Sequence, residues 1–414
     1  MKYGLVGEKL GHSYSCEIHA LIGDYDYKLT PLAKDEVAEF FKRRNFCAVN
    51  VTIPYKETVI PLLDVVSQEA KAIGAVNTVV NRDGKLFGYN TDFYGIKALL
   101  QKADIDVCGK NVLILGTGGT AKTAAAVMTA LGAKRIEKVS RSKKEGAIDY
   151  DEAKKRVDTH IIFNATPVGT FPNDEGLPLD LSGFERLEGV LDAIYHPLAT
   201  NLVLGAREKG CKAEGGLYML VAQAVYASRL FFGKEIGDVG KDEIDDIYDK
   251  ILAQKQNVVL VGMPSSGKST IGKRVAKMLG RKFVDTDDEI IKKIKMPISE
   301  FFAKFGESEF RKIESEVIGE IAKESGIVIA TGGGAVLAKQ NVFALKRNGK
   351  LVFLDRKPTN LVATETRPLS SNRQDLQRLY EQRYPIYSAC ADLKIENDGT
   401  IDDVVREVVK EFEK

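Results

Sequence analysis

A glycine-rich loop is the feature of this sequence that most constrains its fold. Residues 262–270, GMPSSGKST, fit the pattern GxxxxGKS of a phosphate-binding loop. The loop lies between an apolar run typical of a buried strand, NVVLVG, and a segment with helical periodicity, KSTIGKRVAKMLG. Backbone N–H groups in such a loop, together with the N-terminus of the following helix, bind phosphates. The flanking elements argue against a chance match in a glycine turn, so the sequence predicts an ATP site in a parallel α/β domain.

Individual residues of this loop have expected roles. Lys268 is expected to reach the β- and γ-phosphates, and the hydroxyl of Ser269 is expected to bind Mg²⁺. The other loop residues that we expect to contact ATP are Gly262, Ser265, Ser266, Gly267 and Thr270. The loop predicts a nucleotide but leaves the phosphate acceptor open.

A second glycine turn, GTGGTA at residues 116–121, follows the apolar run NVLIL and opens the small-residue helix TAKTAAAVMTALG. This pattern is typical of a dinucleotide-binding Rossmann fold, although Ala121 replaces the third glycine, a substitution that the fingerprint tolerates. The residues expected to contact the cofactor here are Gly116, Gly118, Gly119, Thr120 and Ala121.

The next strand indicates which dinucleotide binds. In the segment RIEKVSRSKK the strand ends in Ser140 and Arg141, with Lys143 and Lys144 close behind. NAD-binding domains usually place an acid at this end to bind the ribose 2′-hydroxyl, whereas a basic end fits a 2′-phosphate. An ordinary solvated basic turn is the alternative. The sequence therefore favours NADPH, contacted by Ser140 and Arg141.

Apolar runs typical of strands alternate with helical segments along the whole chain, which predicts the α/β class. Residues 1–100 are expected to form a first α/β lobe, residues 101–255 a Rossmann lobe with C-terminal helices, and residues 256–414 a phosphate-loop domain with a parallel sheet. A helix predicted over 241–254 has an apolar face formed by Ile244, Ile247, Tyr248 and Ile251. We expect this face to pack on the preceding lobes, so we place the boundary near residue 255.

Charge and cysteine content limit the partners and the compartment. The 60 Lys and Arg residues against 58 Asp and Glu residues leave a formal net charge of +2, so bulk charge gives no reason to expect nucleic acid or a membrane surface. Five cysteines are scattered without a CxxC spacing, which favours reduced thiols in a cytoplasm over disulfides or a zinc site. No apolar run approaches the ~20 residues of a membrane span. We therefore expect a cytoplasmic protein whose partners are small molecules.

Further motifs follow the phosphate loop in order: DTD at 285–287, FRKIE at 310–314, GGG at 332–334, RPL at 367–369 and RYPIY at 383–387. Taken singly, an Asp after a strand is as readily a helix cap, and an Arg is more often a solvated surface charge. Taken together with the loop, these motifs make residues 257–414 resemble shikimate kinase.

The resemblance to shikimate kinase implies roles for several residues. Asp287 is implied to hold the acceptor 3-hydroxyl as a catalytic residue, and Asp285 to organise Mg²⁺ together with Ser269. Arg367 is implied to lie on a lid, to contact ATP and to stabilise the transferring phosphoryl group. The residues implied to surround the shikimate ring and its carboxylate are Asp287, Arg311, Gly333, Gly334 and Arg383.

A separate ordered series of motifs runs through residues 1–250: HSYS, NVTIPYK, GAVNT, NTD, GTGG, SRS, NAT, YHPLAT and GGLYMLVAQA. Alone, Ser13, Ser15 and Asp92 fit helix caps, and Lys56 fits a surface lysine. As a set they resemble shikimate dehydrogenase, with a substrate-binding lobe ahead of the Rossmann lobe. Cys16 departs from the pattern, because the family commonly has proline there.

The resemblance to shikimate dehydrogenase implies that Lys56 and Asp92 form a catalytic pair. Hydride transfer to the carbonyl of 3-dehydroshikimate leaves an alkoxide, which needs a proton and a nearby positive charge, and Lys56 supplies both. Arg141 is implied to bind the 2′-phosphate. The residues implied to surround the substrate ring are Ser13, Ser15, Asn50, Thr52, Asn77, Asp92, Tyr195 and Gln223. Those implied to lie towards the cofactor are Asn164, Thr166 and Gly216.

The expected function is reduction of 3-dehydroshikimate with NADPH, followed by phosphorylation of shikimate with ATP and Mg²⁺. For the first half, the alternatives are an NAD-using quinate/shikimate dehydrogenase and a cofactor-binding sensor, and the Lys56–Asp92 pair argues against the sensor. For the second half, the alternatives are a gluconate-type or adenylate-type kinase and a regulatory ATP-binding module. Asp287 and Arg367 argue against a module without turnover.

Overall fold

A computed structural model of the chain describes residues 2–11, 13–142, 146–361 and 373–413. The chain divides into two compact units, residues 1–251 and 252–414. None of the helices in the described ranges is long and apolar enough to cross a membrane. Both units are built from sheets covered by helices, so the expected α/β class is confirmed.

The first sheet of unit 1 mixes parallel and antiparallel strands in the order β2-β1-β3-β5-β6-β4. Its strands are β1 (Tyr3–Gly7), β2 (Tyr27–Pro31), β3 (Ala48–Val51), β4 (Val65–Val66), β5 (Thr78–Arg82) and β6 (Lys85–Tyr89). Its helices are α1 (Ser15–Ile22), α2 (Val37–Arg43), α3 (Gln68–Ile73) and α4 (Asp92–Lys102). Strands β1 and β3 are buried along most of their length, as expected for the centre of a covered sheet.

The second sheet of unit 1 is entirely parallel, in the order β12-β11-β10-β7-β8-β9. Its strands are β7 (Asn111–Leu115), β8 (Arg135–Val139), β9 (Ala147–Ile148), β10 (Ile161–Asn164), β11 (Gly189–Asp192) and β12 (Lys212–Glu214). The helices that follow are α5 (Gly119–Ala130), α6 (Tyr150–Lys154), α7 (Asn201–Glu208), α8 (Leu217–Phe231) and α9 (Lys241–Lys255). This is the strand order of a dinucleotide-binding fold, in which the ligand binds at the carboxyl ends of the strands near the switch between β7 and β10.

Helix α8 returns from the Rossmann sheet to the first lobe. Its residues Ala227, Leu230 and Phe231 are buried in one apolar cluster with Leu5 and Tyr27 of the first sheet. The chain therefore crosses between the two lobes of unit 1 twice. Helix α8, which follows the Rossmann sheet in sequence, brings its side chains to the substrate lobe.

Unit 2 contains one parallel sheet in the order β14-β15-β13-β16-β17. Its strands are β13 (Asn257–Val261), β14 (Phe283–Asp285), β15 (Val328–Ala330), β16 (Gly349–Asp355) and β17 (Leu393–Glu396). Its helices are α10 (Lys268–Leu279), α11 (Thr286–Ile294), α12 (Ile298–Ile321), α13 (Lys339–Asn348), α14 (Arg373–Cys390) and α15 (Ile401–Lys410). The central strand β13 is buried throughout, and the phosphate loop leaves its carboxyl end.

Candidate active sites

A lysine–carboxylate pair lies in the substrate lobe of unit 1. Lys56 follows β3, and Asp92 is the first residue of α4; Lys56 Nζ donates a hydrogen bond to Asp92 Oδ2 at 2.5 Å. Only 13% of the Lys56 side chain and 6% of the Asp92 side chain are exposed. The structure thus brings together the two residues expected to act as a catalytic pair, and limited solvent strengthens their attraction.

Asn77 fixes the second oxygen of Asp92. Its Nδ2 donates to Asp92 Oδ1 at 2.9 Å and to Thr91 Oγ1 at 3.0 Å, while its Oδ1 accepts from the Thr91 backbone N–H at 2.7 Å. Asn77 Nδ2 also lies 3.4 Å from Oε1 of Gln223, so this contact joins α8 to the substrate lobe. Because both carboxylate oxygens have partners, Asp92 is held in one orientation towards Lys56.

Asn50 adjoins this hydrogen-bond network through contacts to Asn77 and Thr78. Its Oδ1 accepts from the Tyr27 hydroxyl at 2.7 Å, and its Nδ2 donates to Thr78 Oγ1 at 3.1 Å and to the Asn77 carbonyl at 3.3 Å. Burial raises the pKa of Tyr27 well above its usual value, so the hydroxyl stays a donor. These contacts support a positioning role for Asn50; its expected contact with the substrate stays a prediction.

The other residues expected around the substrate ring come from three segments of unit 1. Ser13 Oγ donates to Ser15 Oγ at 3.0 Å at the start of α1. Thr52 follows β3, and its backbone N–H donates to the Val6 carbonyl at 2.9 Å. Burial raises the pKa of Tyr195, although a hydrogen bond with Ser13 partly opposes the shift, so this contact joins the Rossmann lobe to the substrate lobe.

The glycine turn after β7 lies directly against Lys56. Gly116 has a φ of +113°, which favours glycine, and a Cβ on it would lie 3.0 Å from the Ala165 carbonyl oxygen. A Cβ on Gly119, the first residue of α5, would lie 3.4 Å from Lys56 Cβ. Thr120 and Ala121 form the first turn of α5, so the expected phosphate site at this helix N-terminus adjoins the Lys56 side chain.

The basic turn expected to select NADPH lies at the carboxyl end of β8. Ser140 is buried and its backbone N–H donates to the Ile148 carbonyl at 2.9 Å, whereas Arg141 is exposed. Lys143 and Lys144 lie outside the described residues. An exposed arginine on an anchored turn fits a 2′-phosphate.

The turn after β10 contains Asn164 and Thr166. Asn164 Oδ1 accepts from the Thr166 backbone N–H at 3.0 Å and from its hydroxyl at 2.7 Å, while Asn164 Nδ2 faces the carboxylate of Asp192. Gly216, before α8, is packed so closely that a Cβ on it would clash with the Ala193 carbonyl oxygen. Asp192 was not among the residues predicted from the sequence, although its place at the end of the apolar run GVLD could have marked it.

In unit 2, the phosphate loop has the backbone that its motif requires. Gly262 and Gly267 have φ of +145° and +87°, and Ser265 also has a positive φ of 63°. Lys268 is buried, and its Nζ donates to the carbonyls of Gly262 at 2.9 Å and Met263 at 2.8 Å. The lysine charge is therefore held inside the loop, where phosphates are expected.

Oxygen ligands suited to Mg²⁺ lie beside the loop. Ser269 Oγ donates to Asp285 Oδ2 at 2.5 Å, and Asp285 Oδ1 caps α11 by accepting from the Asp287 backbone N–H at 3.0 Å. Within the described ranges, no group of three or more His, Cys, Asp or Glu side chains is suited to hold a metal ion. A magnesium ion at Ser269 and Asp285 would complete its coordination with phosphate oxygens and water, as is usual for Mg²⁺.

A cavity of about 320 Å³ adjoins the phosphate loop. It is lined by residues from five segments: Pro264, Ser265, Gly267, Lys268, Ser269, Thr270, Asp285, Asp287, Ile298, Phe302, Phe310, Arg311, Glu314, Thr331, Gly332, Gly333, Gly334 and Arg383. Every residue expected to hold shikimate is among them. The structure therefore brings together Asp287, Arg311, Arg383, Gly333 and Gly334. Arg367 lies outside the described residues.

The two arginines meet at the glycine motif. Arg383 Nη1 donates to the Gly333 carbonyl at 2.9 Å, and a Cβ on Gly334 would clash with the Arg311 guanidinium. Arg311 Nη1 also donates to Glu314 Oε2 at 2.8 Å. Glu314 is 1% exposed; burial raises the pKa of its carboxyl, and the adjacent Arg311 partly opposes this shift. The arrangement places two guanidinium groups at one end of the cavity, which suits a carboxylate.

Two side chains without a role predicted from the sequence contact residues that line this cavity. Glu307 Oε1 accepts from Arg311 Nη2 at 2.9 Å, one residue after Gly306 interrupts α12 with a φ of 82°. Thr286 Oγ1 accepts from the Gly332 backbone N–H at 2.9 Å and joins the DTD segment to the glycine motif. Spacing could have suggested Glu307, which lies four residues before Arg311 on the helix.

Comparison with known proteins gives a family match for each part of the chain. A family model described as shikimate kinase matches residues 264–413, and one described as shikimate dehydrogenase substrate binding domain matches residues 5–79. A shikimate dehydrogenase (NADP(+)) of Clostridium perfringens is 37% identical over 267 residues, which cover 60% of this chain and 97% of the relative.

Solved structures are also similar to the part of the chain that forms unit 1. Shikimate dehydrogenase 1 from Peptoclostridium difficile is 36% identical with a TM-score of 0.56, covering 61% of this chain and 98% of its own. A chorismate mutase/shikimate 5-dehydrogenase fusion protein from Clostridium acetobutylicum is 34% identical with a TM-score of 0.56, covering 60% and 96%. The chain therefore belongs to the shikimate dehydrogenase family and carries, after that region, a shikimate kinase domain.

Proposed function

We propose that this one chain catalyses two consecutive reactions. Unit 1 reduces 3-dehydroshikimate to shikimate with NADPH, and unit 2 transfers the γ-phosphoryl group of ATP to the 3-hydroxyl of shikimate with Mg²⁺. The observation that carries the first activity is the Lys56–Asp92 pair, 2.5 Å apart and packed against the glycine turn. The observation that carries the second is the cavity in which Asp287, Arg311 and Arg383 adjoin the phosphate loop.

The charge arrangement of unit 1 suits reduction of a ketone. NADPH, when bound along the glycine turn, supplies the hydride. Lys56 Nζ donates a proton to the oxygen of the carbonyl as its carbon accepts the hydride, and water then returns a proton to the lysine. Asp92 holds the ammonium group in place, and Asn77 holds Asp92 through its second oxygen. The same groups run the reverse reaction by microscopic reversibility.

The residues of unit 2 suit transfer to a hydroxyl group on a small acid. Asp287 orients the acceptor hydroxyl and accepts its hydrogen bond, while Arg311 and Arg383 bind the carboxylate at the other end of the cavity. Mg²⁺, when bound at Ser269 and Asp285, neutralises phosphate charge. Lys268 and, by resemblance, Arg367 stabilise the charge that spreads over the transferring group.

A coupled assay on the full chain tests both activities. With 3-dehydroshikimate and NADPH we expect oxidation of NADPH and formation of shikimate, and addition of ATP and Mg²⁺ should convert the shikimate to its 3-phosphate. When shikimate is supplied directly for the second reaction, Lys56→Met should abolish only the reduction, and Lys268→Met only the phosphorylation. Efficient use of NADH or quinate would instead support a quinate/shikimate dehydrogenase, and shikimate left unphosphorylated would contradict the kinase assignment.

A further inference from the structure

A buried carboxyl group at the carboxyl end of β11 has no part in the chemistry proposed above. Asp192 is 0% exposed and lies beside Asn164 in the register of the parallel strands. Its Oδ1 accepts from Asn164 Nδ2 at 3.0 Å and from the Ile194 backbone N–H at 2.9 Å. Its Oδ2 accepts from Asn164 Nδ2 at 3.1 Å and from the Thr200 hydroxyl at 2.7 Å. The carboxylate therefore faces donors on both oxygens.

The partners of Asp192 within the described ranges are neutral. Burial raises the pKa of Asp192 to about 6, while hydrogen bonds from Ile194, Asn164 and Thr200 oppose that shift. A buried carboxylate without a cation costs free energy. The hydrogen bonds that offset this cost hold the donors around Asp192 in fixed orientations.

Asn164 is the donor whose orientation matters most. Its Oδ1 accepts two hydrogen bonds from Thr166, one from the backbone at 3.0 Å and one from the hydroxyl at 2.7 Å. An amide oxygen has two lone pairs, so both are used. The amide nitrogen must then point the other way, and it points at Asp192. The carboxylate thus orients the Asn164 amide so that its oxygen, and not its nitrogen, closes the turn over residues 164–166.

This turn forms one wall of the crevice at the switch point of the Rossmann sheet. The Ala165 backbone N–H donates to the Leu115 carbonyl at 2.8 Å, and the Ala165 carbonyl lies against Gly116. In the sheet, β10 lies on one side of β7 and β8 lies on the other. Because the basic turn of Arg141 at the end of β8 takes the adenosine end of NADPH, the turn after β10 faces the nicotinamide end.

We infer that Asp192 is a positioning residue for the nicotinamide half of NADPH, acting through Asn164 and the turn that Asn164 closes. The inference rests on the proposed binding of NADPH along the glycine turn. Asp192 itself touches neither substrate nor cofactor, so its effect is confined to how well the turn is shaped before the cofactor arrives.

The substitution Asp192→Asn shows why a carboxylate is required at this position. The new amide would offer one acceptor oxygen and one donor nitrogen where the carboxylate now accepts from Asn164, Ile194 and Thr200; the Thr200 hydroxyl can become an acceptor, but the amide N–H groups of Asn164 and the Ile194 backbone N–H cannot. Asn164 would then either face an N–H group or turn over, and a turned Asn164 would point its own N–H groups at Thr166. In both cases a buried donor is left unpaired, which is costly. Exchanging the two side chains, so that the amide lies on β11 and the carboxylate on β10, restores a donor opposite an acceptor between the two strands.

Two probes separate this role from a general loss of structure. Adenosine 2′,5′-bisphosphate carries the adenosine half and the 2′-phosphate but lacks the nicotinamide, whereas NADPH carries both. We would measure the Kd of each probe by calorimetry on the full chain with Asp192→Asn, with the exchange variant Asp192→Asn/Asn164→Asp, and with Asp180→Asn. Asp180 is an exposed carboxylate that also accepts hydrogen bonds, from Ser182, and serves as the matched control.

We expect Asp192→Asn to raise the Kd of NADPH at least about tenfold while leaving that of the bisphosphate nearly unchanged, as one unpaired buried donor predicts. The exchange variant should regain most of the NADPH affinity, and Asp180→Asn should change neither value. Equal weakening of both probes, unchanged NADPH binding, or no recovery in the exchange variant would overturn the inference. If Arg141→Asp leaves binding of the bisphosphate unaltered, the proposed cofactor site itself is wrong.

Discussion

Replacement of Lys56 by alanine should separate catalysis from cofactor binding in unit 1. Loss of a positioned proton donor slows turnover by ~10²–10⁴-fold. At about 1.4 kcal/mol per tenfold, this corresponds to roughly 3–5.5 kcal/mol of lost transition-state stabilisation. The Kd of NADPH should stay nearly constant, because the lysine stem only adjoins Gly119 and the glycine turn keeps its own backbone contacts.

The same substitution should also lower the stability of unit 1. Asp92 is 6% exposed and would keep Asn77 but lose its only salt bridge in the described part of the chain. Removing one partner of a buried ion pair costs about 3–5 kcal/mol, and the 13% exposure of Lys56 places this case near the lower value. The double variant Lys56→Ala/Asp92→Asn removes the stranded charge, so it should regain most of the stability and none of the turnover.

Steady-state reduction of 3-dehydroshikimate and urea unfolding of the full chain measure the two effects. Lys97→Ala is the control, since Lys97 is an exposed lysine on the same helix as Asp92. Near-native turnover of Lys56→Ala with unchanged NADPH affinity would refute the catalytic assignment. A stability loss that persists in the double variant would show that Lys56 acts through packing rather than charge.

Three further predictions concern the cofactor and the kinase cavity. Arg141→Asp should weaken NADPH and relatively favour NADH, because it removes the phosphate partner and adds the acid that a ribose 2′-hydroxyl prefers; an unchanged preference in steady-state kinetics would exclude Arg141 as the selector. Asp287→Asn should act mainly on kcat of phosphorylation and Arg383→Ala mainly on the KM for shikimate, with ATP affinity preserved in both. Glu307→Gln should lower the KM for shikimate by about two- to fivefold, since a partly exposed pair with Arg311 is worth up to ~1 kcal/mol and competes with the carboxylate. A raised KM in that variant would mean that Glu307 orients Arg311 instead.

The parts of the site that the sequence predicts well share one geometric cause. In a parallel sheet the carboxyl ends of all strands meet at one edge, so motifs that each follow a strand must lie close together. Asp285 ends β14, while Ser269 and the glycine motif come after β13 and β15, and all three line one cavity. The predicted helix over 241–254 is observed as Lys241–Lys255, with its expected apolar face buried. The local periodicity of apolar residues is enough to predict such a helix.

The parts that sequence reasoning missed depend on contacts between distant segments. The packing of α8 on the first sheet, with Phe231 near Tyr27, has no local signature, and only the resemblance implied it by assigning Gln223 of α8 to the substrate. The pairing of Asp192 with Asn164 depends on which strands are neighbours, a question that periodicity does not answer. The sequence also contains a local hairpin signal that was overlooked: Asp83 and Gly84, both with positive φ, form the two-residue turn of the β5–β6 hairpin, and an Asp-Gly pair strongly favours such a turn.

The junction between the units carries the last prediction, which compares two ways of cutting the chain. The sequence suggests a cut after residue 255, whereas the compact units divide after Ile251, inside α9. Residues 252–256 are tied to unit 2: Arg281 donates to the carbonyls of Ala253 and Gln256, and the Gly326 backbone N–H donates to the Lys255 carbonyl at 2.9 Å. A fragment that begins at residue 256 loses the partners at Ala253 and Lys255.

We expect the fragment 252–414 to be more stable in urea than 256–414 by about 2–4 kcal/mol, the sum of one charge-assisted and one neutral hydrogen bond. The fragments 1–251 and 1–255 should be equally active dehydrogenases, because the buried face of α9 ends at Ile251. Each half should work alone, since the residues assigned to each reaction lie within one unit. Equal stability of the two kinase fragments would show that these carbonyl contacts are dispensable. A fragment that folds but is inactive until the other is added would mean that the two activities are not independent.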